Sequence, residues 1–328
     1  MEIAHACVLH FLTVFHKSVF HLPAVSQHIV LTTCSNRKRI PPDSKLLGRV
    51  VIAGKPSDVG SAWGKALRQS KSVASAKELY AGRSFREAEQ AADLLGARFY
   101  IVSAGLGLVA AERKVPSYGL TIAQTSEDCV LDKISGGPAD WWAVLKASSM
   151  YHEDFPPARG LILAALSQPY LEMIGGDLSS WDAERRSKLR LFTKQDPSVL
   201  FPQLADQWMP YDDRLDFVSR DLAGTQSDFA QRALRHFAAS IISEPGSADT
   251  HAKRVKAALY GLEMRAQPSR KRLSDDEILK VIDAHWDKAK GQSGLMLRVL
   301  RDDLNLACEQ GRFKHLFHAA KIIRKDLA

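Results

Sequence analysis

The stretch His28-Ile-Val-Leu-Thr-Thr-Cys34, running directly into Ser35-Asn-Arg-Lys-Arg39, decides the fold. Its centre is leucine and β-branched residues with no polar alternation, so a strand formed here is covered on both faces. Two further runs share that character. Arg98-Phe-Tyr-Ile-Val-Ser103 ends in Ala104-Gly-Leu-Gly107, and Leu161-Ile-Leu-Ala-Ala-Leu-Ser167 ends in Gln168-Pro169. Between the first two lies a helix signal. Ser84-Phe-Arg-Glu87 reads as a capping box, Ala88, Ala91, Leu94 and Leu95 supply the apolar stripe, and Gly96 stops it. Strand, helix, strand is the unit of an open α/β sheet. Residues 188–193 read as a further strand and 228–242 as another amphipathic helix. The expected class is α/β, an open and mostly parallel sheet flanked by helices.

At 328 residues the chain is long enough for one large core plus an accessory module. The expected partition is a peripheral segment 1–26, an α/β domain 27–245, a linker region 246–272 and a tri-helical basic module 273–328. The apolar run from Ile3 to Val25 carries His5, His10, His16 and His21 and is interrupted by Lys17. It lacks the basic lead and cleavage site of a signal peptide and is too broken for a membrane span. Ser243-Glu-Pro-Gly-Ser-Ala-Asp249 and the basic Gln267-Pro-Ser-Arg-Lys-Arg272 mark the break before the last module. There Ser274-Asp-Asp-Glu277 opens a helix burying Ile278, Val281 and Ile282. A second helix carries Leu297, Leu300 and Leu304. A third packs Phe313, Leu316, Phe317 and Ala320, leaving Arg312, Lys314, His315, Lys321 and Arg324 on its other side. Two readings stand for this module: a helix-turn-helix-like DNA reader or a plain bundle with solvated charges.

Lys and Arg number 45 against 37 Asp and Glu, a formal charge of +8. That balance favours a polyanionic partner, nucleic acid first, although a basic but inert surface gives the same number. Cys7, Cys34, Cys129 and Cys308 are scattered without ligand spacing, so neither a disulfide framework nor a zinc site is expected. A reducing cytoplasm fits, and no spacing implies a metal or a cofactor.

Ligands of open α/β sheets bind outside the carboxyl ends of the strands. Three such ends are polar or glycine-rich here, which marks Cys34, Ser35, Asn36 and Lys38, then Ser103, Gly105 and Gly107, then Ser167 and Gln168 as substrate-binding candidates. The first turn can cradle a phosphate or carboxylate, although it lacks the glycines of a Walker motif. Cys34 is a nucleophile candidate or simply a small packing residue. The glycines let a ligand approach the backbone or only make a tight turn. Tyr118 can stack on a base or belong to the core, and so can Trp141 and Trp142. In Pro210-Tyr-Asp-Asp-Arg-Leu-Asp216, Asp212 and Asp213 are the catalytic candidates, able to activate water or stabilise an oxocarbenium ion. A surface turn with one of them paired to Arg214 is the other reading. Arg37, Arg83, Arg214, Arg232, Arg235, Arg312 and Lys314 are the candidate grips for DNA phosphates.

Three segments together resemble a phage- and defence-associated group of α/β proteins. They are Thr33-Cys-Ser-x-x-Lys38, Leu79-Tyr-Ala-Gly-Arg-Ser-Phe85 and Phe99-Tyr-Ile-Val-Ser-Ala-Gly-x-Gly-Leu-Val109. That group is similar in fold to uracil-DNA glycosylases and to the glycosylase-like domain of archaeosine synthases, and the likeness spans roughly residues 28–240. With its basic charge and helical tail, the chain looks most like antiphage DNA glycosylases of the Brig type. The resemblance implies flipping of a modified base, such as glucosylated hydroxymethylcytosine, and attack of water at the sugar C1′ to leave an abasic site. The GQDPYH and HPSP signatures of ordinary uracil-DNA glycosylases are absent, Gln168-Pro-Tyr170 and Gln195-Asp-Pro197 being the nearest echoes. Two alternatives stay open: a base-modifying enzyme of the 7-deazaguanine kind, and a non-catalytic DNA-binding regulator.

Overall fold

The computed structural model describes residues 28–124, 126–243, 245–264 and 270–326. The expectations for segment 1–26 and its histidines, and for the start of the basic stretch at Gln267, lie outside the described residues. From the amino end, β1 (Ile29–Thr33) leads through a loop to α1 (Pro56–Gln69). Then β2 (Ala74–Ser75), the single turn α2 (Ala76–Leu79) and α3 (Arg83–Leu95) precede β3 (Arg98–Ser103), which folds back as β4 (Gly107–Ala110). After β5 (Lys114–Val115), antiparallel to β2, come α4 (Pro138–Ser148), β6 (Ile162–Ala165), α5 (Gln168–Ser180), α6 (Ala183–Ser187) and β7 (Leu189–Phe192). Helices α7 (Phe229–Ser240) and α8 (Ala248–Leu259) follow.

The main sheet has the order β4-β3-β1-β6-β7, parallel throughout except for β4. The chain steps from β1 to one side for β3, then returns to the other side for β6 and β7. The reversal falls between β1 and β6, which makes that gap the topological switch point.

Both sheet faces are covered, as the unalternating strands require. Ile29 and Leu31 enter one core with Trp63, Ile101 and Trp141, under α1, α4 and α5. Val30, Leu163 and Ala165 enter a second core with Phe192, Phe229 and Phe237, under α3 and α7. Each fully buried aliphatic side chain contributes about 1.5–3 kcal/mol of burial free energy. No described helix is long and apolar enough to cross a membrane.

Two local expectations need correcting. Helix α3 starts at Arg83 behind Gly82, whose φ of +105° only glycine adopts easily, so Ser84 is already helical and is not its cap. Glu87 is buried and pairs with Arg83 and Arg235 instead of reaching back to the cap. Gly96 does end the helix in the left-handed conformation. The region 246–272 is also more than linker. Ser247 caps α8, and Val255 and Leu259 complete the second core. Buried Arg190 ties that segment to the sheet: its Nε donates to His251 Nδ1 at 2.9 Å, and its Nη atoms donate to the carbonyls of Ser187, Leu189 and Gly246.

The last module has its own core of Ile278, Ile282, Met296, Leu300, Phe313 and Phe317, with Trp286 stacked on Phe317. It comprises β8 (Lys271–Arg272), α9 (Asp275–Ala284), α10 (Ser293–Arg298) running on as a π-turn, β9 (Leu306–Ala307) and α11 (Gln310–Asp326). The Ser274–Glu277 capping box is formed. A parallel two-residue ladder between β8 and β9 joins the helices, which the sequence pattern did not indicate.

Candidate functional site

The crevice between the carboxyl ends of β1 and β6 is bridged from two sides. From α7, the buried Gln231 sends Nε2 to Thr32 Oγ1 at 3.3 Å, Thr33 Oγ1 at 3.4 Å and the Ala165 carbonyl at 3.3 Å. From α5, Tyr170 places its hydroxyl 3.0 Å from Cys34 Sγ. Helix α5 begins immediately beyond β6 with Ser167 as its exposed N-cap, so its positive dipole end stands at the crevice. Gln168 is drawn along the helix to Glu172.

The loop after β1 is fastened to the Leu79-Tyr80 segment by backbone. Arg39 N–H donates to the Leu79 carbonyl and Ala81 N–H to the Arg37 carbonyl, forming a bridge between Lys38 and Tyr80. Ser35 Oγ accepts from Arg37 N–H, while Asn36 and Arg37 are exposed. Lys38 turns inward: its Nζ lies 4.2 Å from the Tyr118 ring centre and 5.7 Å from that of Tyr80. Its one hydrogen bond is a 3.4 Å contact to the Ser35 carbonyl, and no carboxylate pairs with it among the described residues. Burial lowers the Lys38 pKa, while Cys34 and Asp128 pull it back up.

Beneath that amine, the Tyr118 hydroxyl meets Tyr80 Oη at 2.9 Å and Ser103 Oγ at 2.6 Å. Burial, then the nearby Cys34, push the phenols of Tyr80, Tyr118 and Tyr170 well above their usual range. They remain neutral hydrogen-bonding groups. Tyr118 is fully buried and therefore cannot stack on a base, which corrects that reading.

The turn after β3 is also committed to the protein itself. Ser103 Oγ accepts from the N–H groups of Gly105 and Leu106. Trp63 Nε1 donates to the Gly105 carbonyl, Trp141 Nε1 to that of Ala104, and Ser149 Oγ to that of Leu106. A Cβ at Gly105 would fall 2.4 Å from the Tyr118 ring, and one at Gly107 (φ +92°) would fall 2.6 Å from His152. These glycines admit neighbouring side chains rather than a ligand. Trp141 and Trp142 are likewise core residues, with Trp142 Nε1 donating to Asp177.

Asp212 and Asp213 separate in role. Asp212 binds Arg214 through Nε and Nη2 and caps the turn at Arg214 N–H; hydrogen bonding to Arg214 holds its carboxyl below the usual range. Asp213 pairs with Lys194, just past β7, and accepts from Gln226 Nε2 at 3.1 Å. It sits at the carboxyl edge of the sheet.

The candidate phosphate grips fare unevenly. Arg232 is 1% exposed and bonded to Asp216 and Asp228, so it braces α7 and cannot reach DNA. Arg83 and Arg235 are shared among Glu87 and the carbonyl and carboxylate of Asp221. Arg214 is held by Asp212 and Arg312 by Asp275. Arg37 and Lys314 are exposed. Arg270, Arg272, Arg301 and Arg312 surround a concavity of about 560 Å³ in the last module. Among the described residues no group of three or more His, Cys, Asp or Glu is arranged to hold a metal ion.

Gln231, Tyr80, Tyr170 and Trp63 also shape this site, and none of them was a site candidate from the sequence. Gln231 left one trace, a polar residue among Ala230, Ala233 and Leu234 on a buried helix face.

Residues 65–132 match a family of unknown function, DUF6884. That stretch contains Tyr80, Ser103 and Tyr118 of the strand-end network. No curated protein and no solved structure matches the chain.

Proposed function

We propose that this protein hydrolyses the N-glycosidic bond of a modified base in DNA, in the manner of the antiphage glycosylases it resembles, at the β1/β6 crevice. One observation carries the reading. The three segments behind the resemblance meet in a single network of Lys38, Tyr80 and Ser103, joined by Tyr118. Their convergence at the carboxyl strand ends is what supports a shared site.

A base flipped from the duplex enters at the switch point, where ligands of such sheets bind. The departing base carries negative charge, which the amino end of α5 stabilises and which the Lys38 ammonium neutralises by giving up its proton, leaving a neutral amine. The sugar develops positive charge, and Asp213 at the β7 edge is the carboxylate that stabilises it and orients water. Exposed Arg37 contacts a flanking phosphate, and Lys314 on the helical module adds a second, sequence-independent contact.

Purified protein incubated with plain and glucosylated-hydroxymethylcytosine DNA, followed by alkali, tests this. Release of free base with strand breaks only in the modified DNA is the expected result. Intact strands in both, with no base released, overturn it.

A further inference from the structure

We propose that Lys38 forms an imine with the ring-opened deoxyribose of an abasic site, giving the protein a lyase step after base removal. The inference rests on the crevice being a DNA-sugar site, as proposed above.

The placement is unusual for a lysine. Its amine points inward over two tyrosine rings that bond Ser103 at the end of β3, with Cys34 at the end of β1 as an electrostatic neighbour, so it lies among the carboxyl strand ends where ligands of such sheets bind. Enclosed lysines are ordinarily paired with a carboxylate. Here, among the described residues, the amine has ring faces and one long bond to a backbone carbonyl, and Asp128 acts on it only electrostatically, without an ion-pair contact. A structural cation would be tied down more firmly, whereas a nucleophilic amine has to shed its proton and keep its lone pair free. Partial desolvation favours that neutral form, the usual route to a reactive lysine. The side chain is not fully buried, which leaves a substrate carbonyl a path to it.

The chemistry balances without any oxidant or reductant. The Nζ lone pair adds to the aldehyde carbon C1′, and the carbinolamine loses its oxygen as water to give a protonated imine. Loss of the C2′ proton to water forms the C2′–C3′ double bond and expels the 3′ phosphate. Water then hydrolyses the imine and restores the Lys38 amine.

The test uses the full chain, a duplex carrying one preformed abasic site, and sodium cyanoborohydride, which reduces an imine to a stable secondary amine. A protein–DNA adduct on a denaturing gel, mapped by peptide mass spectrometry to Lys38, is expected. Lys38→Arg keeps the charge and should lose the adduct, while Lys65→Arg, on the exposed face of α1, should keep it. No adduct, an adduct mapped only to other lysines, or an undiminished adduct in Lys38→Arg overturns the inference. Mapping on the unaltered chain does not depend on how any variant folds. Because the abasic site is preformed, trapping without base release sinks only the glycosylase reading. Base release without trapping sinks only the lyase step.

Discussion

Replacing Gly105 with alanine reads the packing of the site directly. The new Cβ would lie 2.4 Å from Cε2, 2.6 Å from Cδ2 and 3.1 Å from Cζ of Tyr118. The loop cannot withdraw, because the Gly105 carbonyl is held by Trp63 Nε1 at 2.6 Å and its N–H by Ser103. The Tyr118 ring must therefore yield, and it is confined by the edge of Trp63 and by Lys38. Overpacking of this kind costs about 1–3 kcal/mol. If the hydroxyl also leaves Ser103 and Tyr80, an unsatisfied buried polar group adds about 1–3 kcal/mol. The sum is a loss of about 2–6 kcal/mol, large against the stability of an ordinary domain. Gly176 in α5 is the control, since an added Cβ meets no other atom within 4 Å among the described residues. Gly176→Ala should stabilise by about 0.5–1 kcal/mol through helix propensity. Urea unfolding followed by tryptophan fluorescence measures both. A Gly105→Ala midpoint at or above that of the unaltered protein would refute the placement of Tyr118 against this turn.

Asp213→Asn should reduce base release by about 100-fold or more, the usual scale for a positioned carboxylate. Asp212→Asn should leave most activity and weaken the Arg214 turn; full activity in Asp213→Asn removes that carboxylate from the mechanism. Arg190→Ala should destabilise by about 2–4 kcal/mol, because it leaves the buried Leu189 carbonyl and the part-buried carbonyls at 187 and 246 without their donor. An unchanged thermal melt would show that α8 docks without it. Burial lowers the pKa values of His28, His152 and His236 from 6.5. The unfolded chain then takes up protons below pH 6.5 that the folded chain refuses, so stability should fall as the pH drops through that value. A urea midpoint that is flat or rises between about pH 7.5 and 5.5 contradicts this sign.

Local pattern carried a good deal of the architecture. The unalternating run 29–33 does lie between two cores, because successive residues Val30 and Leu31 feed opposite faces. Leu189–Phe192 and Phe229–Ser240 fall within the strand and helix expected there. The carboxyl ends of the strands were legible because polar and glycine-rich residues break each apolar run. The capping box at Ser84 misled, since Gly82 gave the chain an earlier way into the helix. Arg232 read as a phosphate grip because helix periodicity cannot say that Asp216 and Asp228 will enclose it.

By itself the sequence determined that the sheet is open, mostly parallel and covered on both sides, since those properties follow from side-chain character within each strand. It also determined which loops carry the polar chemistry. Only the tertiary structure decided the strand order, and with it that the crevice opens between β1 and β6. It alone decided that Lys38 lies over Tyr118 and that Gln231 reaches Thr32, 199 positions away in the chain. Such contacts depend on which strands pair and which helices cover them, and residue order within one element holds no record of either.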